Sequence, residues 1–249
     1  MLIDIHTAFA IFFFVIAFIS EILGAIAGFG SSTIFLPLAL FFVDFKTALV
    51  LVSISHLFGN LGRVKFFSQG LDKNIIIWFG IPSVLFALVG ASIVNFIPQN
   101  ILKVLLGLFL IVISISFLIK PGLKFPSNTR TIITGGCISG FITGLVGTGG
   151  ALRATFLTGS NLEKIKYIAT AAVIALSTDI IRIPSYISQG FLREQYIYYI
   201  PILFVTALSG SFVGRQITKK INQNIFRKIV LVAIIFVSIS FVIGGVVSR

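Results

Sequence analysis

Long apolar segments follow one another along almost the whole sequence, and only short polar stretches separate them. Hydrophobic residues make up 57% of the 249 residues, charged residues make up 10%, and the mean hydropathy is +1.11. A soluble domain of this size carries far more charge. Within a bilayer the backbone must satisfy its own hydrogen bonds, and segments of this length do so as helices. The sequence therefore predicts an all-α polytopic membrane protein.

The net charge of +12 would suggest a nucleic-acid partner in a soluble protein. Here the basic residues gather in the short stretches between apolar segments, as membrane topology requires. We therefore expect a lipid bilayer and a small molecule as partners, no nucleic acid, and a homo-oligomer is left open. The single cysteine, Cys137, excludes an intramolecular disulfide. The first apolar segment lacks a basic leader and a small-residue cleavage site, so we interpret it as a retained helix.

The apolar segments predict ten pieces. Three are short, at 33–43, 47–61 and 151–158, and the first and last of these are too short to cross a bilayer as a helix. The first half is read as 6–27, 33–43, 47–61, 74–96 and 98–119, with the second and third pieces short and a basic loop from 62 to 73. The second half is read as 131–145, 151–158, 165–183, 195–217 and 224–247. The polar linker 121–130 separates a first repeat, 1–120, from a second repeat, 131–249.

The two halves also match residue by residue. Gln99-Asn-Ile-Leu-Lys103 returns as Gln223-Asn-Ile-Phe-Arg227, 124 residues later. Asn60 and Arg63 correspond to Asp179 and Arg182 at an offset of 119, and Gly28 corresponds to Gly144 at an offset of 116. Ordered polar matches with slowly drifting offsets indicate an internal duplication.

Basic residues favour repeats of opposite orientation. If each short piece returns the chain across the membrane, 13 of the 19 basic residues lie on one side and 6 on the other. If the short pieces are loops, the split is 9 to 10 and carries no signal. By the positive-inside rule, we expect inverted repeats with both termini outside the cytoplasm. Whether the short pieces cross or form re-entrant hairpins stays open.

Each half contains a glycine-rich interruption before its short piece. We call Ala27-Gly-Phe-Gly-Ser-Ser32 the first break and Gly144-Leu-Val-Gly-Thr-Gly-Gly150 the second break. Paired broken helices in inverted repeats are typical of secondary transporters, whose site lies where the breaks meet. Free N–H groups at helix starts favour a small anion. The candidate substrate-binding residues are Gly30, Ser31, Ser32, Thr33, Gly147, Thr148, Gly149, Gly150 and Arg153.

Close helix packing is the alternative for the glycines. We favour packing for Gly24-xxx-Gly28 and Gly140-xxx-Gly144, and a site for residues 147–150. On that basis Gly149→Leu is expected to abolish transport while folding is largely preserved. Arg153 either supplies a fixed positive charge to an anion or extends to the membrane interface.

Charged and titratable residues inside apolar segments form a second group of candidates. Asp179 and Arg182 lie three residues apart on one helix face, as a structural ion pair or as a coupling site. His56 is either a hydrogen-bonded packing residue or a proton relay. Glu21 is a weaker candidate. The coupling or gating candidates are His56, Asn60, Arg63, Asp179 and Arg182, with a proton or a sodium ion as the coupling ion.

Enzyme signatures are absent from the sequence. One cysteine and two distant histidines provide no metal-ligand cluster, and neither a nucleophile elbow nor a phosphate-binding loop with a lysine occurs. We expect no enzyme, no cofactor and no metal.

The two breaks, with Pro37-Leu38 after the first, resemble the TauE/SafE family of sulfite and organosulfur-anion permeases along essentially the whole chain. The resemblance implies a bacterial inner-membrane permease for a small sulfur-containing anion such as sulfite, thiosulfate or a sulfonate. Two differences fall at the breaks: Ser31-Ser32 replaces further glycines, and Arg153-Ala-Thr155 replaces an apolar run that ends in proline. An anion channel and a non-transporting membrane scaffold are the rival hypotheses.

Overall fold

The computed structural model describes residues 5–27, 30–66, 70–160, 162–218 and 223–247, and these residues form helices joined by turns, without a strand. The first half contains α1 (Ile5–Ala27), α2 (Ser32–Ala39), α3 (Phe45–Phe66), α4 (Lys73–Phe96) and α5 (Gln99–Ile119). The second half contains α6 (Thr129–Val146), α7 (Gly150–Thr158), α8 (Lys164–Ser188), α9 (Tyr199–Thr218) and α10 (Gln223–Val247). Gly28 of the first break lies outside the described residues.

Eight of these helices are long and apolar enough to cross a membrane, and the two short ones, α2 and α7, are not. Local sequence explains several helix ends. Asp72 and Asn128 cap α4 and α6, because their side chains accept the N–H groups of Ile75 and Thr131. A π-helical turn, Ile76–Gly80, interrupts α4 just before Pro82, which has no N–H for a regular helical bond.

Two helices end five residues later than predicted, and these are the largest differences in helix bounds. α3 was expected to be a short piece over 47–61, but it spans 22 residues, so residues 62–66 of the predicted basic loop are helical. Arg63, the first basic residue of that predicted loop, is paired inside the protein, as described below. α8 was expected to end at 183, but it continues through Pro184 to Ser188. The hydroxyl of Tyr186 in this extension donates to the carbonyl of Gly144 on α6, which anchors the extra turn.

Each short helix runs back along the long helix that precedes it. The rings of Phe35 and Phe42, in and after α2, lie 5.3 Å from Phe13 and 6.0 Å from Phe9 respectively, so the chain retraces α1. In the second half, Gly149 lies against Ser139 and Thr143 at the start of α7, and Phe156 near its end lies against Gly135. Each break is therefore a reversal of the chain.

The long helices pack in pairs that follow the predicted duplication. Replacing each helix by its counterpart in the other half gives the same set of pairs. The pairs are α4 with α6, α1 with α9, α3 with α8, and α5 with α10. Glycines allow the first two pairs to approach closely: Gly140 and Gly144 lie against the backbones of Ser83 and Ala87, and Gly210 lies against Phe18. The predicted packing role of Gly140 and Gly144 is confirmed.

Contacts between loops define two ends of the bundle. At one end Asp72, before α4, lies 3.4 Å from Lys166 on α8, and Ser127, before α6, donates to Ser160, after α7. At the other end Asp44, before α3, lies 3.0 Å from Arg193, before α9. The core lies between these ends around α2 and the first half of α3, where nearly every side chain is buried.

Candidate functional site

His56 and Asp179 meet at the centre of the bundle, where α3 crosses α8. The Nδ1 atom of His56 lies 2.8 Å from Oδ2 of Asp179, and both side chains are almost completely buried. Asn60, one turn after His56 on the same face of α3, places its amide nitrogen 3.4 Å from the same carboxylate oxygen. Asn60 and Asp179 are equivalent positions in the predicted duplication, so equivalent residues of the two halves contact each other.

Arg182 joins this carboxylate to the end of α6. Its Nε donates to Oδ1 of Asp179 at 2.9 Å, and its Nη1 donates to the carbonyl of Thr143 at 2.8 Å. The predicted pair at positions 179 and 182 is therefore present, and it lies inside α8 rather than near a helix end. Carbonyls in the last turn of a helix lack intrahelical partners, and Tyr186 donates to that of Gly144. The carbonyl of Thr143 accepts from the N–H of Gly147, and Arg182 adds a second donor to it.

Arg63 has a different acceptor in the first half. Its Nη1 donates to the amide oxygen of Asn60 at 2.9 Å, and its Nη2 pairs with the carboxylate of Glu21 on α1. Ser211 of α9 donates to the same Glu21 oxygen at 2.8 Å. The pairing of Glu21 with Arg63 was not predicted from the sequence. The sequence contained a signal for this pair. Arg182 has Asp179 three residues earlier on its own helix, whereas the helix of Arg63 contains no acid and its partner must come from elsewhere.

The two breaks meet beside His56. The hydroxyl oxygens of Thr33 and Thr148 lie 2.8 Å apart and are buried. Gly30 has a backbone φ of +90°, which favours glycine, and a Cβ at this residue would lie 3.5 Å from Nε2 of His56 and 3.9 Å from Gly150. Parts of both breaks and the free side of the imidazole thus surround one point.

Other break residues have packing neighbours. A Cβ on Gly147, whose φ is +79°, would meet the side chains of Leu36 and Leu49. A Cβ on Gly149 would meet the hydroxyl of Thr143 and the carbonyl of Ser139. The expectation that Gly149→Leu leaves folding intact is therefore wrong, because a leucine there must displace α6.

Ser31 and Ser32 are buried at the start of α2. The carbonyl of Ser31 accepts the N–H groups of Ile34 and Phe35, so this residue begins the helix, and its side chain forms no cap bond. The start of α7 at Gly149 likewise has no side-chain cap. Both short helices therefore begin in the interior, with their positive dipole ends directed into the bundle.

Arg153 is buried on α7, with 6% of its surface exposed. Its Nη1 lies 3.4 Å from the carbonyl of Ala171 on α8, and among the described residues no carboxylate lies within ion-pair distance of it. Asp179, Arg182 and Arg63 are its charged neighbours. It therefore lies within the bundle rather than at the membrane interface.

The described charged side chains inside the bundle do not balance. Two acids, Glu21 and Asp179, face three arginines at positions 63, 153 and 182. With a neutral His56, one positive charge remains in excess in a region of low dielectric, where charges interact strongly. In the described part of the chain no group of three His, Cys, Asp or Glu side chains could hold a metal ion.

The family model described as sulfite exporter TauE/SafE matches residues 12–241. The chain belongs to this family of membrane transporters. A probable membrane transporter protein of Methanocaldococcus jannaschii is 28% identical to it over 238 residues, which cover 86% of this chain and 88% of that protein. This TauE/SafE protein thus matches the family model and the archaeal protein over most of its length. The family predicted from the sequence is confirmed.

Proposed function

We propose that this protein is a secondary transporter that binds a small oxyanion between its two breaks. The observation that carries the proposal is the buried arginine Arg153, which has no described carboxylate partner and leaves the interior with an excess positive charge. An unpaired buried charge is costly, so a site of this kind favours a bound anion. The hydrogen-bonded hydroxyl pair of Thr33 and Thr148 places polar groups nearby, and the starts of α2 and α7 add positive dipole ends.

Sulfite is the first candidate substrate, because the matching family model is described as a sulfite exporter. Thiosulfate and sulfonates share its small, multi-oxygen anionic form and are the next candidates. The substrate-binding residues in this proposal are Gly30, Thr33, Thr148, Gly150 and Arg153. Gly147 and Gly149 shape the second break through packing, and Ser31 and Ser32 shape the first.

Inverted repeats would explain how such a site opens to alternate sides. Several contacts support this arrangement. α5 and α10, the last helices of the two repeats, run antiparallel, because Gly107 lies against Ser238 and Gly245 lies against Val104. The chain also returns after α2 to the end where α3 begins, beside Arg193. Each half then has an odd number of crossings, which inverts the second half relative to the first.

Transport of sulfite by purified protein in liposomes tests the proposal. We expect saturable uptake of radiolabelled sulfite that depends on an ion gradient, and stabilisation of the detergent-solubilised protein against heat by sulfite. Arg153→Gln should weaken sulfite binding about tenfold or more, as expected when a buried charged hydrogen-bond partner is lost. Arg193→Gln is the matched control, because its side chain is 58% exposed and pairs with Asp44 at one end of the bundle.

Three results would contradict the proposal in different ways. Uptake that does not saturate and ignores ion gradients would indicate an anion channel. Failure of sulfite, thiosulfate and methanesulfonate to bind at all would indicate a scaffold without transport. Equal binding by the Arg153→Gln and Arg193→Gln variants would remove Arg153 from the site. A reporter fused after Arg249 tests the topology, since we expect it outside the cytoplasm of the inner membrane.

A further inference from the structure

We propose that His56 binds one proton together with the anion, so that the transporter carries a proton and a divalent oxyanion in the same direction. This inference rests on the proposed function. It assigns the coupling ion and names the atom that holds it, Nε2 of His56.

Hydrogen bonds define which nitrogen of His56 is free to titrate. Asp179 accepts a bond from Arg182 on Oδ1 and lies 2.8 Å from Nδ1 of His56 through Oδ2. Since a carboxylate paired with an arginine can only accept, Nδ1 of the imidazole carries its hydrogen toward Asp179. The lone pair of the neutral ring is therefore on Nε2.

Nε2 faces the place where the breaks meet. Its neighbours are Gly30, whose Cβ would lie 3.5 Å away, and the amide nitrogen of Asn60, which lies beside the ring edge at 3.4 Å from Nε2 and 3.1 Å from Nδ1. The oxygen of that amide accepts from Arg63, which orients the NH2 group of Asn60 toward His56. When Nε2 is protonated it becomes a charged donor directed at the first break, next to the proposed anion.

The charges around His56 make the proton and the anion depend on each other. Asp179 contacts His56 directly, and Arg182 of the same helix pairs with Asp179. Arg63 bonds to Asn60 beside His56 and pairs with Glu21 of α1, and Arg153 of α7 is a charged neighbour of Asp179. With neutral His56 this set carries one excess positive charge, and a proton raises the excess to two. A divalent anion is then neutralised, whereas the proton alone is repelled by the arginines.

Linkage makes this dependence reciprocal: an anion that prefers protonated His56 must also increase the affinity of His56 for its proton by the same factor. Couplings between sites in proteins are commonly five- to 150-fold, so we expect about a tenfold effect. In titration terms, saturating anion should raise the protonation midpoint of His56 by about one pH unit.

Nitrogen NMR of histidine-labelled protein in detergent tests the coupling directly. His6 is the only other histidine of the sequence, so His56→Gln assigns the two signals and His6→Gln is the matched control. In the wild type, sulfite or thiosulfate should raise the midpoint of the His56 signal by about one pH unit and leave that of His6 unchanged. This measurement does not require the His56→Gln variant to transport.

Proton movement in liposomes provides the second measurement. Thiosulfate stays fully ionised near neutral pH, so any proton that accompanies it is bound by the protein. We expect about one proton per thiosulfate for the wild type and for His6→Gln, from a dye inside the vesicles and radiolabelled thiosulfate. For His56→Gln we expect slower thiosulfate entry without an accompanying proton.

The outcomes separate the two proposals. If anions bind or are transported but the His56 midpoint does not move and no proton accompanies thiosulfate, the coupling is overturned and the proposed function stands. If none of sulfite, thiosulfate and methanesulfonate is bound or transported by the wild type, both are overturned. Proton transfer that survives in His56→Gln would also overturn the assignment of His56.

Discussion

Arg63 and Arg182 occupy equivalent positions in the two halves but bind different partners. Each contacts the residue three positions earlier on its own helix, Asn60 or Asp179. Each also reaches the long helix before the break of its own half. Arg182 contacts a backbone carbonyl of α6 there, and Arg63 contacts the carboxylate of Glu21 on α1.

The two halves therefore share a contact between the third helix and the helix before the break, but the charges of the residues that form it differ. Both arginines hold the helix before a break against the third helix of the same half. The first half has its acid at Glu21 and an uncharged Asn60 at the position equivalent to Asp179, so among the described residues Asp179 is the carboxylate that contacts His56. The two halves therefore share the same helix contacts, but their buried polar side chains differ in charge.

The largest expected effect is on the two acids. Asp179→Asn leaves fully buried Arg182 without its counter-ion, which we expect to cost about 3–5 kcal/mol. Glu21→Gln should cost less, about 1–3 kcal/mol, because Arg63 is 13% exposed and keeps Asn60. The measurement is the apparent melting temperature in detergent, and the Asp179→Asn variant should melt lower.

Asp44→Asn is the control for this pair. Asp44 caps α3 and pairs with the exposed Arg193 at one end of the bundle, and asparagine caps helices equally well. We expect a change of about 0–1 kcal/mol, as for other exposed ion pairs. Equal melting temperatures for the Asp179→Asn and Glu21→Gln variants would show that the two arginines have equivalent surroundings after all.

A second prediction compares the packing of α4 against α6 with that of α1 against α9. A Cβ on Gly140 would come within 2.7 Å of the Ser83 backbone, which cannot move without separating the helices. On Gly210 it would meet the Glu21 side chain at 2.8 Å and a backbone oxygen at 2.9 Å. Gly140→Ala should therefore cost about 1–3 kcal/mol as overpacking, and Gly210→Ala somewhat less.

Gly244→Ala on α10 is the control, since a Cβ there has no neighbour within 4 Å among the described atoms. The thermal stabilities of all three variants are compared in detergent. If Gly140→Ala is as stable as Gly244→Ala, the close approach of α4 and α6 is not required for folding.

The smallest expected effect distinguishes the two breaks themselves. Gly30 and Gly147 both have positive φ, so alanine should cost about 1–2 kcal/mol at either position from backbone strain. Gly147→Ala should cost more, because its Cβ also meets Leu49 and Leu36. Gly30→Ala should cost less stability but weaken sulfite binding, since its Cβ occupies the space beside His56.

Gly190→Ala provides the reference for strain alone: φ is +77° and no described atom lies within 4 Å of its Cβ. Melting temperatures and sulfite affinity are measured for the three variants. Weaker sulfite binding by Gly147→Ala than by Gly30→Ala would reverse the roles that we assign to the two breaks.

Much of the fold was predictable because it depends on local patterns. Apolar length and turn residues located the helices to within a few residues at most bounds, and the three-residue spacing predicted the pair between Asp179 and Arg182. The spacing of Gly140 and Gly144 likewise predicted a face for close helix packing. These features are set by neighbours within two helical turns, which a sequence displays directly.

The sequence by itself determined an all-helical membrane protein with two glycine-rich breaks in matching places, because burial in lipid leaves few alternatives for so apolar a chain. Only the tertiary structure decided which polar groups meet. α3 was expected to end at 61 because the basic residues from Arg63 onward were interpreted as a loop, and the partners of His56 and Asn60 could not be assigned. The partners in the structure, Asp179 and Glu21, come from α8 and α1, more than 40 residues away in the chain. A buried polar residue is stabilised by what other helices bring to it, and that arrangement exists only after the helices have packed.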